Sequence, residues 1–484
     1  MARLLRSRIF ILAVALLRYE CVARVPPPAP EISVEVFRSS ADLKERLQLQ
    51  PALKFVAPES SSPTITVDDT HTFQQMDGFG ASFTDSSAWL IFNKLSASQR
   101  TDVMEKLFDP IKGIGLSFLR QPMGASDFAL THYSYDDLPN RQSDPDLVHF
   151  SIDHDRKYIL PLLRQARALN PQLRVMASPW SPPGWMKTSG SLRKGELLPT
   201  AYATLARYFV QFVKSYAAEG VPIYAVTMQN EPLYNPDDYP GMSVSAEQQA
   251  KFVRDDLGPT FKQNQLDTKI MIFDHNWDLI DFAYSVLKDS AVSAFVAGTA
   301  LHCYGGSVDA QDQLHVRFPE KDIWQTECSG GDWQTKDLLQ EQLGLVIGTT
   351  RNWSKSVVLW NLALDQDHGP HLGGCGNCRG VVTVNSGSSP SGFTTTVDYV
   401  ALGHASKFVV PGAWRIESGP SNQNELQNVA FRNPDGSIVL LVLNSSSKTL
   451  SFHVRWSERS FVYTLEPGFA ATFCWRPPAT KSQR

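Results

Sequence analysis

The sequence predicts an α/β protein, a (β/α)8 TIM barrel with an appended β-sandwich domain. Short strand-like runs alternate with amphipathic helical segments over roughly 330 residues, and after about residue 405 only β-type runs remain. A chain of 484 residues that is 42% hydrophobic can bury one large core and a smaller one. An open doubly wound sheet is the alternative, but the glycine-rich phosphate turn that this fold often carries is absent.

Eight β-rich runs form the predicted barrel. Each is short, and the fourth is nearly all apolar, which is typical of a parallel strand covered on both faces. The eight runs are 78–83, 116–121, 173–178, 223–229, 269–274, 299–304, 322–326 and 356–361.

Helices between these runs have clear end signals. Ser96 and Ser245 each open a capping box, because a glutamine follows three residues later. The helix that begins after Ser245 is expected to end at Gly258 and Pro259. Residues 200–218 place apolar side chains at helical spacing, so one stripe of that helix is expected to pack on the sheet.

A β-sandwich is predicted after the barrel. Its strand-like runs are separated by turn signals, and five strands alone leave exposed edges. The N-terminal segment 32–75, with β-type runs at 32–37 and 64–67, is therefore expected to complete it. The predicted C-terminal runs are 429–431, 438–443, 450–454, 461–465 and 470–475. The boundaries that follow are a barrel at 76–404, a sandwich at 405–478 and a tail at 479–484.

The N-terminus has the pattern of a secretory signal peptide. Three arginines precede an apolar run at 9–17, which is too short for a stable membrane anchor. We expect a signal peptide at 1–23, a proline-rich linker at 24–31 and a secreted or periplasmic protein, which would be lysosomal or extracellular in a eukaryote. No transmembrane segment is expected. The alternative is an ordinary buried N-terminal segment.

Composition excludes one class of partner and favours another. The 45 basic and 49 acidic residues give a net charge of −4, so the chain lacks the basic surface that nucleic acid requires. Aromatic residues make up 11% of the chain, and their rings suit a neutral partner such as a sugar.

The cysteines predict no disulfide framework and no metal site. Five remain after cleavage of the signal peptide, which is few for a chain of this length. Cys375 and Cys378 have the spacing of half a zinc site or a redox motif, but no second such pair lies nearby in sequence. A small disulfide or two free thiols are therefore expected there.

Residues at the carboxyl ends of the predicted strands are the candidates for chemistry, because barrel enzymes place their active sites at that end. They include acids, an arginine, histidines and aromatic residues. In chain order they are Asp85, Arg120, Trp180, Asn230, Glu231, Asp274, His275, His302, Tyr304, Glu327, Trp360 and Asn361.

Glu231 and Glu327 supply the two carboxyl groups that glycoside hydrolysis requires. One acts as an acid toward the leaving oxygen, and the other as a nucleophile at the anomeric carbon. Asn230 can hold a sugar hydroxyl beside the acid. His302 and Tyr304 share one face of a strand, so the tyrosine hydroxyl can orient Glu327.

Each candidate also has a structural explanation. A single glutamate at a strand end is commonly a salt-bridge partner, a tryptophan is commonly core, and Asp85 can cap the following helix. A carbohydrate-binding protein without catalysis is the second hypothesis. The joint placement of two glutamates and Asn230 on one rim argues against it.

At these residues the chain resembles the glucosylceramidase family of retaining glycoside hydrolases, which includes acid β-glucosidase and its bacterial relatives. The similarity covers about residues 75–475 and rests on an ordered series of motifs. They are 76–85 (MDGFGASFTD), 119–123 (LRQPM), 177–185 (ASPWSPPGW), 227–232 (TMQNEP), 254–260 (RDDLGPT), 326–328 (TEC), 360–364 (WNLAL) and 402–408 (LGHASKF).

The resemblance implies a retaining enzyme that releases glucose from β-glucosides without a metal or organic cofactor. It implies that Glu231 is the acid/base and Glu327 the nucleophile. It also implies a set of residues that bind the sugar, to which we add Asn361 because it follows Trp360 at the same strand end. The set is Asp85, Arg120, Trp180, Asn230, His302, Tyr304 and Trp360.

Three loops depart from the mammalian lysosomal pattern, at 233–240, 373–380 and 385–392. All follow barrel strands, where the aglycone or a second sugar lies. The substrate therefore stays open between glucosylceramide, β-linked glucans and other β-glycosides. Contact with a lipid surface is expected if the substrate is a glycolipid.

Overall fold

The structure is a computed structural model that describes residues 31–57, 64–139, 142–385, 387, 392–422 and 425–478. The predicted signal peptide (1–23), nearly all of the predicted linker (24–31) and the tail (479–484) lie outside these residues, so they stay predictions. No helix within the described ranges has both the length and the apolar character needed to cross a membrane.

Three strands precede the barrel: β1 (Ser33–Ser39), β2 (Gln48–Lys54) and β3 (Thr64–Gln75). β1 and β3 contain the two predicted β-type runs. The sequence does not predict β2, because Pro51 within it cannot donate a hydrogen bond to a neighbouring strand. β2 tolerates this proline because it lies at the edge of its sheet and pairs only with β1.

Eight parallel strands close into a barrel, which confirms the predicted fold class. Each overlaps its predicted run, and the last strand pairs with the first. Seven strands each contribute one side chain to a separate core cluster that includes Phe118 and Trp324. The barrel strands are β4 (Gly78–Ser82), β5 (Phe118–Pro122), β6 (Arg174–Ser178), β7 (Ile223–Thr227), β8 (Lys269–Asn276), β9 (Val296–His302), β10 (Asp322–Glu327) and β11 (Ser354–Leu359).

Helices connect the strands. Both predicted capping boxes are present, since the Ser96 and Ser245 hydroxyls each accept a backbone N–H and receive the reciprocal glutamine bond. The helices are α1 (Asp85–Asn93), α2 (Ala97–Phe108), α3 (Asp153–Arg156), α4 (Ile159–Leu169), α5 (Tyr202–Ala218), α6 (Ala246–Lys251), α7 (Gly258–Gln263), α8 (Asp281–Leu287), α9 (Ser290–Ser293), α10 (Asp309–Arg317), α11 (Leu338–Arg351) and α12 (Val397–Ser406). α12 extends two residues past the predicted boundary at 404.

The predicted helix end at Gly258 and Pro259 is wrong. A π-helical segment, Phe252–Leu257, leads from α6 into α7, and Pro259 lies in the first turn of α7. A proline is tolerated there because the N–H groups of a first turn need no helical acceptor. Gly258 serves packing instead, because a Cβ at this position would lie 2.3 Å from the Phe295 ring.

A small three-stranded sheet follows the barrel strands. It consists of β12 (Ala363–Asp365), β13 (Val382–Asn385) and β14 (Gly392–Thr395), and the sequence does not predict it. β12 and β13 pair in parallel, so they hold both ends of the intervening loop together. This loop contains the glycine- and cysteine-rich segment that departs from the family pattern.

The N- and C-terminal segments form the predicted β-sandwich together. β1 pairs with β20, and β3 pairs with β15 and β18, within one nine-stranded sheet. The sheet folds over on itself, since Phe452 of β18 contacts Phe473 of β20 although these strands are not neighbours. The C-terminal strands are β15 (Trp414–Gly419), β16 (Leu426–Arg432), β17 (Ile438–Asn444), β18 (Leu450–Trp456), β19 (Arg459–Leu465) and β20 (Ala470–Trp475).

Candidate active site

A cleft of about 390 Å³ lies at the carboxyl end of the barrel. Both predicted catalytic glutamates line it, together with aromatic side chains and the segment after β12. The lining residues are Asp127, Glu231, Tyr234, Asp238, Tyr239, Tyr304, Glu327, Ser329, Trp333, Trp360, Gly374, Cys375 and Cys378.

Glu231 lies four residues beyond the end of β7. Its backbone has a φ of 45°, which is uncommon for a residue other than glycine, and its N–H donates to the Asp274 carbonyl at 3.0 Å. Pro232 follows and fixes the onward direction of the chain. Glu231 Oε1 lies 3.2 Å from Nδ1 of His302, so an imidazole proton can pass along this contact.

Glu327 is the last residue of β10, and two donors hold its carboxylate. Arg120 Nη1 donates to Oε2 at 2.5 Å, and the Tyr304 hydroxyl donates to Oε1 at 2.8 Å. The predicted contact between Tyr304 and Glu327 is confirmed. Oε1 also lies 3.9 Å from His302 Nδ1, so both glutamates face the same imidazole nitrogen.

Arg120 joins the two strand ends that carry the glutamates. Its side chain is fully buried, and Nη2 donates to Asn230 Oδ1 at 2.7 Å and to Asp274 Oδ2 at 2.8 Å. The guanidinium lies 4.7 Å from the centre of the Trp180 ring. Because Arg120 occupies the oxygen of the Asn230 amide, the amide nitrogen stays available to donate to a sugar hydroxyl.

Asp274 is the buried centre of this network, a role that the sequence analysis did not assign. Oδ2 accepts from Ser178, Thr227 and Arg120, and Oδ1 from Thr326 at 2.7 Å and His302 at 3.0 Å. Burial opposes its charge, but Arg120 and His302 hold the pKa of Asp274 well below its usual value. It therefore acts as a fixed anion beneath the glutamates.

His302 carries a proton at neutral pH. Burial opposes its charged form, but Glu327, Asp274 and Glu231 outweigh it and raise the pKa of His302 to about 9. Asp274 receives the Nε2–H, which directs Nδ1 toward Glu231.

The two glutamates have oppositely shifted pKa values in the empty cleft. Burial alone would raise the pKa of Glu231, but the hydrogen bond and charge of His302 lower it. Burial raises the pKa of Glu327, with His302 and Arg120 opposing this. The proton that Glu231 and His302 share thus rests mainly on the imidazole.

Stacked aromatic rings form one wall. Trp180 and Trp360 lie with ring centroids 5.1 Å apart, and Phe128 packs edge-on against Trp360 at 5.8 Å. Both tryptophans are nearly buried, yet Trp360 lines the cleft. Both tryptophans therefore have the core role that was predicted as one alternative, and contact with a sugar stays a prediction.

Asp127 is a site residue that the sequence analysis missed. It lines the cleft, and burial together with the charges of Glu327 and Glu231 raises its pKa well above the usual value. A protonated carboxyl can donate a hydrogen bond to a sugar hydroxyl. It lies in the long irregular connection between β5 and α3, where no strand end marks it. The only sequence signal is an acid within a mostly apolar stretch.

Of the predicted sugar-binding residues, Tyr304 and Trp360 line the cleft, whereas Arg120, Trp180, Asn230, His302, Asp85 and Asn361 do not. Asp85 is 2% exposed and accepts hydrogen bonds from Tyr158 and the Leu130 N–H, with His154 Nε2 also 2.8 Å away. It does not cap α1 either, because Thr84 does. Asn361 is fully buried and accepts from Thr84 Oγ1 at 3.2 Å. The sugar-binding role of Asp85 and Asn361 stays a prediction that these contacts do not support.

The rim of the cleft comes from two of the loops that depart from the family pattern, 233–240 and 373–380, and from the segment after β10. Tyr234 and Trp333 are both 51% exposed, so their rings are open to a ligand. Cys375 and Cys378 form a disulfide, one of the two predicted alternatives. Gly374 packs against Asp127, where a Cβ would lie 2.3 Å from Oδ2.

One side-chain group in the cleft has the donor types and spacing of a metal site. Ligand atoms of Glu231, His275 and His302 lie within 4.8 Å of one another. A cation there would displace the proton that His302 shares with Glu231. The absence of a metal stays a prediction.

A larger groove of about 560 Å³ is lined by residues of α11 and by Ser421. Glu341 is the only acid in its lining, so it cannot supply the carboxyl pair. The smaller cleft is therefore the candidate active site.

Family models match both domains. The glycosyl hydrolase family 30 TIM-barrel domain covers residues 76–409, and the glycosyl hydrolase family 30 beta sandwich domain covers residues 412–473. The chain belongs to glycosyl hydrolase family 30. It is a glycosidase, as predicted, and the resemblance to glucosylceramidases holds at the level of this family.

Similar proteins include endo-1,6-beta-glucanases and glucosylceramidases. Endo-1,6-beta-D-glucanase neg1 of Aspergillus fumigatus is 34% identical over 410 residues, which is 79% of this chain and 81% of that protein. Lysosomal acid glucosylceramidase of Mus musculus is 30% identical over 452 residues, 85% of this chain and 83% of that protein. Glucosylceramidase is thus one of at least two activities among similar proteins.

Solved structures share the whole architecture. The endo-beta1,6-glucanase BT3312 superimposes with a TM-score of 0.86 at 32% identity, covering 92% of this chain and all of that one. SrfJ from Salmonella typhimurium gives the same TM-score and coverage at 27% identity.

Proposed function

We propose that this family 30 glycosidase is a retaining β-1,6-glucanase in which Glu327 is the nucleophile and Glu231 the acid/base. The observation that carries the roles is the asymmetric contact of the two carboxyl groups. Arg120 and Tyr304 both donate to the Glu327 carboxylate and stabilise its negative charge. The side-chain contacts described for the Glu231 carboxyl are with the proton-bearing His302 and the nearby His275. This is the division of roles that double displacement requires.

In the first step a Glu327 oxygen attacks the anomeric carbon and the glycosidic C–O bond breaks. The leaving oxygen takes the proton of the Glu231–His302 pair. A covalent glycosyl ester on Glu327 results, and the oxygen that does not bond the sugar keeps its donor, which is Arg120 at Oε2 or Tyr304 at Oε1. Asn230 and Asp127 are placed to donate to sugar hydroxyls in the transition state.

In the second step Glu231 accepts a proton from water as the water oxygen attacks the anomeric carbon. The ester bond breaks, and Glu327 leaves as a carboxylate with net retention of configuration. Asp274 keeps its charge throughout and holds His302 in one orientation, so Glu231 can pass this proton to the imidazole and the starting state is restored.

The substrate proposal rests on the relatives and on the rim. Several similar proteins are endo-1,6-beta-glucanases, including the structural neighbour at 32% identity. The exposed rings of Tyr234 and Trp333 give a glucan chain faces on which the sugar after the cleaved bond can stack.

Product analysis tests this proposal. The protein is incubated with linear β-1,6-glucan, β-1,3-glucan and glucosylceramide in detergent micelles, and the products are separated by chromatography. We expect oligosaccharides from the β-1,6-glucan and no release from the β-1,3-glucan. Glucose release from glucosylceramide alone would contradict the proposal.

Replacing Trp333 by Ala is expected to raise KM for β-1,6-glucan about 3- to 10-fold, the equivalent of one lost stacking contact. The kcat for an aryl β-glucoside, which lacks the second sugar, stays near the wild-type value. Trp414→Ala is the matched control, because Trp414 is 40% exposed and lies in β15 of the nine-stranded sheet, away from the cleft lining. An equal effect of Trp333→Ala on both substrates would show that Trp333 does not contact the sugar on the aglycone side.

Glucosylceramidase activity is the second candidate. The mouse relative supports it, and so do two apolar side chains near the rim, since Leu233 is 51% and Leu372 40% exposed. Such residues suit a lipid surface. The micelle arm of the product analysis measures this activity directly.

Activity is expected to follow a bell-shaped pH profile that extends above neutrality. The proton on the Glu231–His302 pair is present below the raised pKa of His302, about 9, and is lost as the pH rises through it. In His302→Gln only the Glu231 carboxyl holds this proton, so the alkaline limb of kcat/KM moves to lower pH. An alkaline limb that does not move in this variant would show that His302 does not share the acid proton.

We further propose that the protein is exported, because of the N-terminal pattern of basic residues and a short apolar run. N-terminal sequencing of the protein recovered from the medium or periplasm tests this, with cleavage expected after about residue 23.

A further inference from the structure

A second disulfide, which the sequence does not predict, joins the ends of β9 and β10, the strands that carry His302 and Glu327. Cys303 directly follows His302, the last residue of β9, and Cys328 directly follows Glu327, the last residue of β10. His302 and Glu327 are paired in the register of these parallel strands. The disulfide therefore cross-links the chain one residue beyond the pair, with Cα atoms 5.4 Å apart.

Both cysteines lie next to contacts that hold the active site in place. Tyr304 follows Cys303, and its hydroxyl donates to Glu327 across the strand gap. The carbonyl of Cys328 accepts the Trp360 N–H at 2.6 Å, which ties the aromatic wall to the same backbone.

Apart from its bond to Glu327, few contacts are described that position Tyr304. Its side chain is 45% exposed, and its residue lies past the end of β9, where ladder hydrogen bonds have stopped. The contacts described for it are the bond to Glu327, a 3.2 Å bond from its N–H to Asn276 Oδ1 and an edge-on contact with His302. A covalent link at the preceding residue restricts the positions that its backbone can take.

We propose that the Cys303–Cys328 disulfide is a positioning element of the active site, which holds the Tyr304 hydroxyl on Glu327. Without it the ends of β9 and β10 separate more freely, and the bond from Tyr304 is lost for part of the time. Glu327 can then still act as a nucleophile, but its carboxylate is less well oriented toward the anomeric carbon. This proposal rests on the nucleophile role proposed for Glu327.

The test uses the double variant Cys303→Ser with Cys328→Ser. We expect kcat on an aryl β-glucoside to fall about tenfold or more, since small displacements of catalytic groups have costs of this order. The hydrogen bond from Tyr304 lowers the pKa of Glu327, so its loss raises that pKa. The acidic limb of the kcat profile therefore moves to higher pH.

A double-mutant cycle separates positioning from general stability. Tyr304→Phe alone is expected to lower kcat and to move the acidic limb in the same direction. Adding it to the double cysteine variant is expected to change little, because both act through one contact. Effects that multiply fully would overturn the proposal, as would a fall in kcat with an unmoved acidic limb.

Reduction of the intact protein covers the case in which the variant does not fold. A phosphine converts the disulfide to two thiols, with oxidation of the phosphine and oxygen supplied by water. Alkylation and peptide mass spectrometry then report which cysteines are free, while circular dichroism reports the fold. Folded protein with Cys303 and Cys328 reduced and full kcat would overturn the proposal.

Two further variants complete the design. Cys474→Ser removes the one free thiol of the described residues, which lies in β20 of the nine-stranded sheet. This change is expected to leave kcat unchanged. Cys375→Ser with Cys378→Ser removes the rim disulfide and is expected to leave the acidic limb in place. If the untreated protein hydrolyses no glycoside, the proposed function fails; if it is active and indifferent to this disulfide, only the positioning role fails.

Discussion

Replacing Glu327 by Gln is expected to reduce kcat by on the order of 10⁴-fold or more on both aryl β-glucosides and β-1,6-glucan. The amide is nearly isosteric but cannot form the glycosyl ester, so the first step of double displacement has no nucleophile. The fold is expected to persist, because the glutamine side chain fills the same volume and its amide oxygen can still accept from Arg120. Steady-state kinetics on purified protein, with circular dichroism of the same sample, measure both.

Glu320→Gln is the matched control. Glu320 is exposed and precedes β10 at its amino end, so the same chemical change is made at the opposite end of the barrel. It is expected to leave kcat at the wild-type value. Residual activity of Glu327→Gln near that of Glu320→Gln would show that another residue is the nucleophile.

Replacing Glu231 by Ala is expected to lower kcat about 10²- to 10⁴-fold for β-glucosides with poor leaving groups. The loss is smaller for an activated aryl glucoside, whose leaving oxygen needs no proton. The glycosyl ester then forms but hydrolyses slowly, because no base remains to activate water.

Added azide distinguishes this role from a structural one. The anion needs no general base, so it is expected to attack the ester on Glu327 and restore turnover in Glu231→Ala. The product is a glycosyl azide that keeps the β configuration, which NMR identifies. Absence of rescue, or an α-configured product, would contradict the assignment of Glu231 as acid/base.

The barrel and the sandwich could be predicted because their signals are local. Strand runs such as 223–229 are apolar on both faces, and the capping boxes at Ser96 and Ser245 depend on side chains three residues apart. The eight strand ends then identified the two glutamates, Arg120, His302 and Tyr304 without tertiary information, because one rim of a barrel collects all eight.

The misses have a common physical cause, since each depends on contacts between distant segments. Pro51 is tolerated in β2 only because that strand lies at a sheet edge. Asp127 reaches the cleft from a long irregular connection, and the buried position of Asp274 becomes apparent only when Arg120 and His302 converge on it. Gly258 does not mark a helix end, because the Phe295 ring packs against it and leaves no room for a Cβ.

The two disulfides also show that local contacts can be predicted from spacing and that contacts between distant segments cannot. The spacing of Cys375 and Cys378 permits a local disulfide, so the sequence predicts it as one alternative. Cys303 and Cys328 are 25 residues apart and become neighbours only because β9 and β10 are adjacent and in register. The hydrogen bond from the Tyr304 hydroxyl to Glu327 was foreseen, but the end of β9 at His302 and the cross-link beside it were not.

Trapping of the covalent intermediate tests the central claim most directly. The protein is incubated with a glucose-configured, mechanism-based inactivator and digested, and the peptides are sequenced by mass spectrometry. We predict one glucosyl adduct, on the carboxyl group of Glu327, with loss of activity in proportion to labelling. An adduct on Glu231, or inactivation with no adduct on either glutamate, would contradict the account.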